Sequence, residues 1–398
     1  MKREWNLLRA PLPVLLDPVL RLGGSRARSA GPWSLPQREG SRVLLTFSGT
    51  AAVYQAAIAL GMRATDKVLL PAYNCGHEVE PFLRAGARVD FYRVDRRLAI
   101  DVEDLAARID DATKAVLVTH YFGFPQPLAE ICALCDRHGI ALIEDCAHAL
   151  FSSDGDTPLG LAGDLAVYSL RKTLPLPHGG ALVCHNPRLK MPRELPAPPA
   201  LSTLPKWIER YQKACLLPAN RGPGVVDRAA FVALRLLADA ARGMRAVART
   251  LGTTQFDPDD ESYAFPAEPL YWGIAPSVAR LLERTPAPSV ALARRRNYAA
   301  LLEMSAQFGA AVPLLPALPA GVVPLYFPLI ADDVDPLLAR LWGGAVAAIQ
   351  WWGTPHPAVP WHAFPDADYL KAHVIAIPLH QDLQMSHMRA IARAGTLP

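Results

Sequence analysis

Short apolar runs recur through the first 185 residues, each followed by a turn and then an alanine-rich or amphipathic stretch. The runs include Val43-Leu44-Leu45, Val68-Leu69-Leu70, Ile140-Ala141-Leu142-Ile143 and Leu165-Ala166-Val167-Tyr168. Continuous apolar runs bounded by turn residues are the pattern of strands covered on both faces. The spacing predicts strands near 43–47, 67–71, 88–92, 115–119, 140–144, 164–169 and 180–184. Helices are predicted over 51–60 and 128–138. Such alternation implies a mostly parallel sheet with helices on both sides. Beyond residue 186 the pattern changes. Leu195-Pro196-Ala197-Pro198-Pro199 reads as a linker and leads into a helix rich in alanine, leucine and arginine. A helix over 289–305, a strand within 322–330, a helix over 335–342, a strand over 374–377 and a last helix from Ser386 then suggest a smaller α+β domain. The expected organisation is an arm over 1–40, a large domain over 41–265 with a divergent helical stretch at 186–262, and a small C-terminal domain over 266–398. No internal repeat is detectable.

Composition narrows the classes. A chain of 398 residues can bury two substantial cores. A formal charge of +4 is too small to argue for a nucleic-acid partner. The six cysteines (75, 132, 135, 146, 184 and 215) have neither disulfide nor zinc spacing, so no metal is expected. Cys132 and Cys135 fall on one face of the 128–138 helix and read as small core hydrophobes. Met1-Lys2-Arg3 is basic, but Glu4 and Pro11-Leu12-Pro13 interrupt any secretory core. Residues 304–331 lack charge, yet Pro313, Pro316, Pro319, Pro324 and Pro328 would break a spanning helix. A cytoplasmic location is expected. Arg228, Arg235, Arg242 and Arg249 recur every seven residues, along one slowly drifting stripe. Residues 221–250 carry six arginines against two aspartates. A solvated helix face is the leading explanation, with contact to a membrane surface or an anionic group as the alternative.

Three motifs carry candidate chemistry, and their order matters more than any one of them. Phe47-Ser48-Gly49-Thr50 lies between a strand and a helix. There a glycine lets the backbone approach an anion, and the first helical amides and the dipole favour negative charge. Ser48 and Thr50 add hydroxyls, and Ser169 could add another from across the site. Glu144-Asp145 ends an apolar strand, where open α/β sheets place their ligands. Lys172 follows another strand and precedes Pro175-Leu176-Pro177-His178-Gly179-Gly180, a density of proline and glycine that predicts an irregular loop. A lysine in a desolvated setting becomes available as a nucleophile. A phosphate cradle, a carboxylate for a pyridine nitrogen and a Schiff-base lysine are the three groups that pyridoxal 5'-phosphate chemistry needs.

With those residues in view, the chain resembles the DegT/StrS family of sugar aminotransferases, which have the fold-type-I architecture of pyridoxal phosphate enzymes. The resemblance runs from near residue 40 to the C-terminus with one gap, at 186–262. It is carried by Ser48-Gly49-Thr50-Ala51-Ala52, Lys67-Val68-Leu69-Leu70-Pro71-Ala72-Tyr73, Thr119-His120-Tyr121-Phe122-Gly123, Ile143-Glu144-Asp145-Cys146-Ala147-His148-Ala149, Gly163-Asp164, Lys172 with Gly179-Gly180, and Ile377-Pro378-Leu379-His380. The resemblance implies that Lys172 forms the Schiff base and then shuttles a proton, and that Asp145 binds the pyridine nitrogen. It places His148 near the phenolic oxygen, and Gly49, Thr50 and Ser169 on the phosphate. It also implies a homodimer with shared sites, for which Trp342, Trp351, Trp352 and Trp361 are interface or small-domain core candidates.

Two departures stand out. The family carries an aromatic residue, stacked on the cofactor, where this chain has Cys75; Tyr73 and His77 are the nearby substitutes. The interval from Ser169 to Lys172 is two residues shorter than the family's. The leading expectation is an aminotransferase moving an amino group from an amino-acid donor to a keto-sugar, nucleotide-linked. The alternatives are a lyase or dehydratase, and a non-catalytic regulatory relative. Family dehydratases replace the lysine by histidine, which Lys172 argues against.

Overall fold

The computed structural model describes residues 2–10, 12–20, 34–217, 223–250, 267–354 and 356–396. In chain order the strands of the larger part are β1 (Arg42–Thr46), β2 (Lys67–Pro71), β3 (Arg88–Tyr92), β4 (Thr113–Thr119), β5 (Ala141–Asp145), a short hairpin of β6 (Ser153–Asp154) and β7 (Thr157–Pro158), β8 (Leu165–Tyr168) and β9 (Gly180–Cys184). Seven of them form one sheet in the order β1-β9-β8-β5-β4-β2-β3. Neighbours are parallel from β3 through β8, while β9 runs antiparallel to both β8 and β1. The apolar runs explain this arrangement. Strands β4, β5, β8 and β9 are buried along most or all of their length, which is possible only with cover on both faces.

The helices are α1 (Lys2–Arg9), α2 (Gly49–Ala59), α3 (Val79–Arg84), α4 (Val102–Ala107), α5 (Leu128–His138), α6 (Leu170–Thr173), α7 (Ala200–Leu216), α8 (Val225–Thr250), α9 (Pro276–Leu282), α10 (Ala287–Glu303), α11 (Val334–Gly343), α12 (Pro365–His373) and α13 (Met385–Gly395). Alanine supplies five of the eleven residues of α2, which suits a helix pressed against the sheet with little side-chain entropy to lose. Helix α5 ends at Gly139, whose φ of 64° is the left-handed stop that glycine adopts without strain. On α5, Cys135 is buried and Cys132 half-buried, as small hydrophobes.

A second sheet, order β10-β11-β13-β12, is built from β10 (Val312–Pro313), β11 (Phe327–Ile330), β12 (Ile349–Gln350) and β13 (Val374–Ile377). All its pairs are antiparallel. The strand expected within 322–330 is shorter than that window. Val323 N–H is taken by Ser152 Oγ and Leu325 N–H by the Phe122 carbonyl, so residues before Phe327 dock on the first part of the chain instead of joining a ladder. The N-terminal residues also pack on this second sheet's surroundings: Val14 bridges Val346, and Val19 N–H donates to Asp382.

Helices α7 and α8 lie in the divergent stretch. The outward face of α8 exposes Val225, Val226, Leu236 and Leu237 at 85, 81, 65 and 59%. Arg228 is exposed and Arg235 pairs with Asp239 at 3.4 Å; the side chains of Arg242 and Arg249 lie outside the described residues. Among the described residues no helix is long and apolar enough to cross a membrane.

Candidate active site

The site lies where β5 and β8 end and α2 begins. Pleating sends the consecutive carboxylates Glu144 and Asp145 to opposite faces, and their fates differ. Glu144 is fully buried and accepts from the amides of Gly160 (2.9 Å), Ala162 (2.6 Å) and Gly163 (2.7 Å). It also meets His120 Nε2 at 3.1 Å. Burial opposes its ionisation, but the His120 bond and charge and the Gly163 and Gly160 amides hold its pKa below the usual carboxylate range. His120, Glu144 and Cys146 could together offer three ligand atoms within 4.8 Å. The carboxylate is already occupied by four donors, so the group reads as the anchor of the 160–163 turn. Glu144→Ala is expected to cost about 3 kcal/mol in a urea titration, because it strands three amides and an imidazole in the interior. Since the folded pKa is lowered, the wild-type contribution is present above the unfolded glutamate pKa and lost as pH falls through the folded value. The difference between the two proteins should therefore shrink below about pH 4.

Asp145 is buried and, among the described hydrogen bonds, its carboxylate accepts one, from the Ala147 amide at 2.9 Å. Burial pushes its pKa up to about 6, helped by the charge of Glu78 and opposed by that of Lys172. With one amide donor, this desolvated carboxyl keeps acceptor capacity that a further N–H or cationic partner would fill.

Lys172 does not lie in the irregular loop expected of it. It occupies the single turn of α6, with Ser169 at the N-cap. The proline-rich segment begins only afterwards, and Gly179 folds it back, its N–H donating to the Phe47 carbonyl at 2.8 Å. The turn aims Lys172 Nζ at His148 Nε2, 3.0 Å away. His148 Nδ1 is 3.3 Å from the Phe122 N–H. Burial, then the lysine charge, holds the His148 pKa well below the ordinary histidine value, so the ring is neutral at pH 7.

The cradle forms at the start of α2. Ser48 Oγ accepts from the Ala51 amide at 3.1 Å and caps the helix, leaving the Gly49 and Thr50 amides without intrahelical partners. A Cβ on Gly49 would stand 3.0 Å from Ser169 Cβ, so that serine lies directly against the helix start. A Cβ on Gly180 would meet the Ser48 carbonyl carbon at 2.3 Å; β9 passes against the cradle at a distance only glycine allows. His178, buried beside it and stacked on Phe47 at 4.7 Å, has no hydrogen-bond partner on either ring nitrogen among the described residues. Burial, then Lys206, lowers its pKa to about 4.

The fold thus brings Ser48, Gly49, Thr50, Asp145, His148, Ser169 and Lys172 to one edge of the large sheet. Cys75 also reaches this neighbourhood, but its thiol donates to Glu78 Oε2 at 2.9 Å, and burial, with Glu78, pushes its pKa well above the usual thiol value. Three nearby residues belong to none of the motifs. Glu78 is a buried carboxylate whose charge acts on Asp145. Trp352 lies 5.4 Å from His148, ring to ring, and Lys371 holds the Trp352 carbonyl. The adjacent pair Trp351-Trp352 is the one signal in the chain for them, and it points equally to an interface or a core. Trp351 and Trp361 are buried, and Trp342 Nε1 donates to the Ala348 carbonyl at 2.8 Å.

The sequence model of the DegT/DnrJ/EryC1/StrS aminotransferase family matches residues 40–194. GDP-perosamine synthase of Vibrio cholerae is 32% identical over 142 residues, which are 35% of this chain and 39% of that protein. The dTDP-4-dehydro-2,3,6-trideoxy-D-glucose 4-aminotransferase of Saccharopolyspora spinosa is 37% identical over 151 residues, 37% of this chain and 39% of the relative. The chain therefore matches about two fifths of the length of these relatives. Among solved structures, the sugar aminotransferase CalS13 from Micromonospora echinospora superposes with a TM-score of 0.58 at 21% identity, covering 89% of this chain and 86% of its own. DesV of S. venezuelae gives 0.60 at 18% identity, covering 88% and 83%. At such identities the superpositions establish a shared fold, the fold-type-I architecture with its large, mostly parallel α/β sheet. Residues 40–194, the part that resembles the DegT/DnrJ/EryC1/StrS aminotransferase family, contain every strand of the large sheet and the edge on which the candidate site is assembled.

Proposed function

We propose that the chain is a pyridoxal 5'-phosphate-dependent aminotransferase that moves an amino group from an amino acid, glutamate, to a nucleotide-linked keto-sugar in polysaccharide or glycoconjugate biosynthesis. The observation that carries this reading is the pairing of a donor-poor buried carboxylate, Asp145, with the Lys172–His148 contact at 3.0 Å, beside a glycine-lined helix start. The residues fit the cofactor on that ground. Asp145 would hold the pyridine N–H, and the Gly49 and Thr50 amides with the Ser169 hydroxyl would hold the phosphate. His148 would face the phenolic oxygen, and Cys75 would border the ring. When bound, pyridoxal phosphate supplies an electron sink and an aldehyde that takes up amines.

The protein's own part is positioning and proton movement. Lys172 Nζ would take the proton that leaves the amino-acid donor's α-carbon, and the neutral His148, whose Nδ1 accepts from the Phe122 N–H, turns its Nε2–H to that amine without adding a competing charge. Asp145 would keep the pyridine nitrogen protonated. Residues 41–265 form the cofactor domain in this reading, 266–398 the small domain that closes on it and 1–40 the arm. Relatives named for acting on GDP- and dTDP-linked sugars support the acceptor class. The working form is proposed to be a cytoplasmic homodimer, with sites at the subunit boundary.

The test is a two-stage assay on protein loaded with pyridoxal phosphate. Glutamate alone should release one equivalent of 2-oxoglutarate per site, and a panel of nucleotide keto-sugars should then contain one that returns as the amino-sugar. Active material should sediment at dimer mass. A loaded protein that releases no 2-oxoglutarate and aminates nothing would be a binding or regulatory relative. Loss of water from the sugar without amine gain would make it a dehydratase.

A further inference from the structure

The loop after β2 leaves the site short of a ring. Cys75 stands where an aromatic is expected, and its thiol is engaged with Glu78 at 2.9 Å. A ring arrives instead from the second sheet. Strand β12 ends at Gln350, and the next two residues, Trp351 and Trp352, stack with centroids 5.2 Å apart and planes 25° apart. The Trp352 indole lies 5.4 Å from the His148 ring and 5.1 Å from Tyr73. His148 is itself 3.0 Å from Lys172 Nζ. Trp352 is half-buried, so part of its face stays open.

Its backbone is held in an unusual state. The φ of Trp352 is 56°, a left-handed conformation that a bulky residue keeps only where its surroundings enforce it. Lys371 is the enforcing group. Its buried ammonium donates to the Trp352 carbonyl at 2.8 Å and to the Asn74 carbonyl at 3.0 Å, and sits 3.9 Å over the Trp361 ring. Asn74 adjoins Cys75, so one lysine ties the tryptophan to the loop that lacks its aromatic.

We propose that Trp352 is the aromatic wall of the cofactor site, covering the ring face that Cys75 does not, and that Lys371 is the residue that positions it across the two sheets. This rests on the pyridoxal phosphate reading above. An aromatic face against a pyridine ring adds affinity beyond the area it buries, and desolvated Lys371 holds that face through carbonyls of both sheets' loops.

Binding of pyridoxal 5'-phosphate to the cofactor-free protein tests it, by equilibrium dialysis and by quenching of indole emission. Trp352→Ala should weaken binding about three- to tenfold, while Trp352→Phe stays within about twofold of wild type because a ring remains. Trp352→Phe should nevertheless lose the largest share of the quenching, and Trp342→Phe should lose little. Lys371→Met should weaken binding as Trp352→Ala does, and the double variant should bind no worse than Trp352→Ala alone, since the lysine acts through the indole. Wild-type affinity and quenching in the Trp352 variants would overturn the wall while leaving the cofactor assignment intact. Additive losses in the double variant would overturn the positioning role. A wild-type protein that does not bind pyridoxal phosphate would overturn both this inference and the function beneath it.

Discussion

Lys172→Ala is expected to abolish transamination and the lysine-dependent visible absorbance of bound pyridoxal phosphate. The variant should still hold the cofactor non-covalently, through Asp145 and the α2 cradle. Borohydride treatment should attach the cofactor permanently to wild type and not to the variant. The expectation is total because the proposed function gives Lys172 two roles, nucleophile and proton carrier, and among the described residues no second amine stands beside His148 to replace it. Lys371, the buried lysine of this region, has its Nζ committed to two carbonyls and an indole face. Lys172→Arg should fail equally, since a guanidinium stays protonated and cannot form the imine. Normal turnover by Lys172→Ala would remove the assignment entirely.

Asp145→Asn is expected to keep measurable cofactor affinity and to lose several orders of magnitude in rate. An amide cannot hold the pyridine nitrogen protonated, so the electron sink weakens at the step where it is needed. A loss smaller than about tenfold, or ~1.4 kcal/mol of barrier, would show that Asp145 has a different role. The same residue provides a pH signature without turnover. In the cofactor-free protein its pKa is raised to about 6, chiefly by burial. For a carboxyl raised in the folded state, the stabilisation by the neutral form is present below the unfolded aspartate pKa and lost as pH rises through the folded one. Cofactor-free wild type should therefore lose stability between about pH 4 and 6 relative to Asp145→Asn. Added pyridoxal phosphate, which offers that carboxylate an N–H, should restore more stability at pH 7 than at pH 5.

Both expectations start from motifs that are local in the chain, and local features are the ones legible in the amino-acid sequence. The strands expected near 67–71, 88–92 and 180–184 coincide with β2, β3 and β9, and the helix over 128–138 with α5. Short apolar runs and glycine stops act within a few residues, so their signal survives without tertiary context. Lys172 marks the limit of that logic. Proline and glycine density describes the segment after it correctly, but does not reach back over a turn that Ser169 starts as helix.

Neighbouring residues are enough to specify the strands of the large sheet, the order of the three motifs and the identities of Lys172, Asp145, His148 and Gly49, because pleat, turn chemistry and helix starts are written over a few positions. They also show that Cys75 supplies no ring. Which of the two carboxylates keeps unused acceptor capacity is a matter of packing. Glu144 and Asp145 are adjacent, and the amides that occupy Glu144 come from residues 160–163. Packing, too, brings Trp352 beside His148 and joins Lys371 to Asn74 across 297 residues of chain. A hydrogen bond of that span leaves no periodicity to read. It exists because the loop after β2 and the residues after β12 both reach Lys371 of α12, and the buried ammonium there must find acceptors among whatever backbone the packing presents.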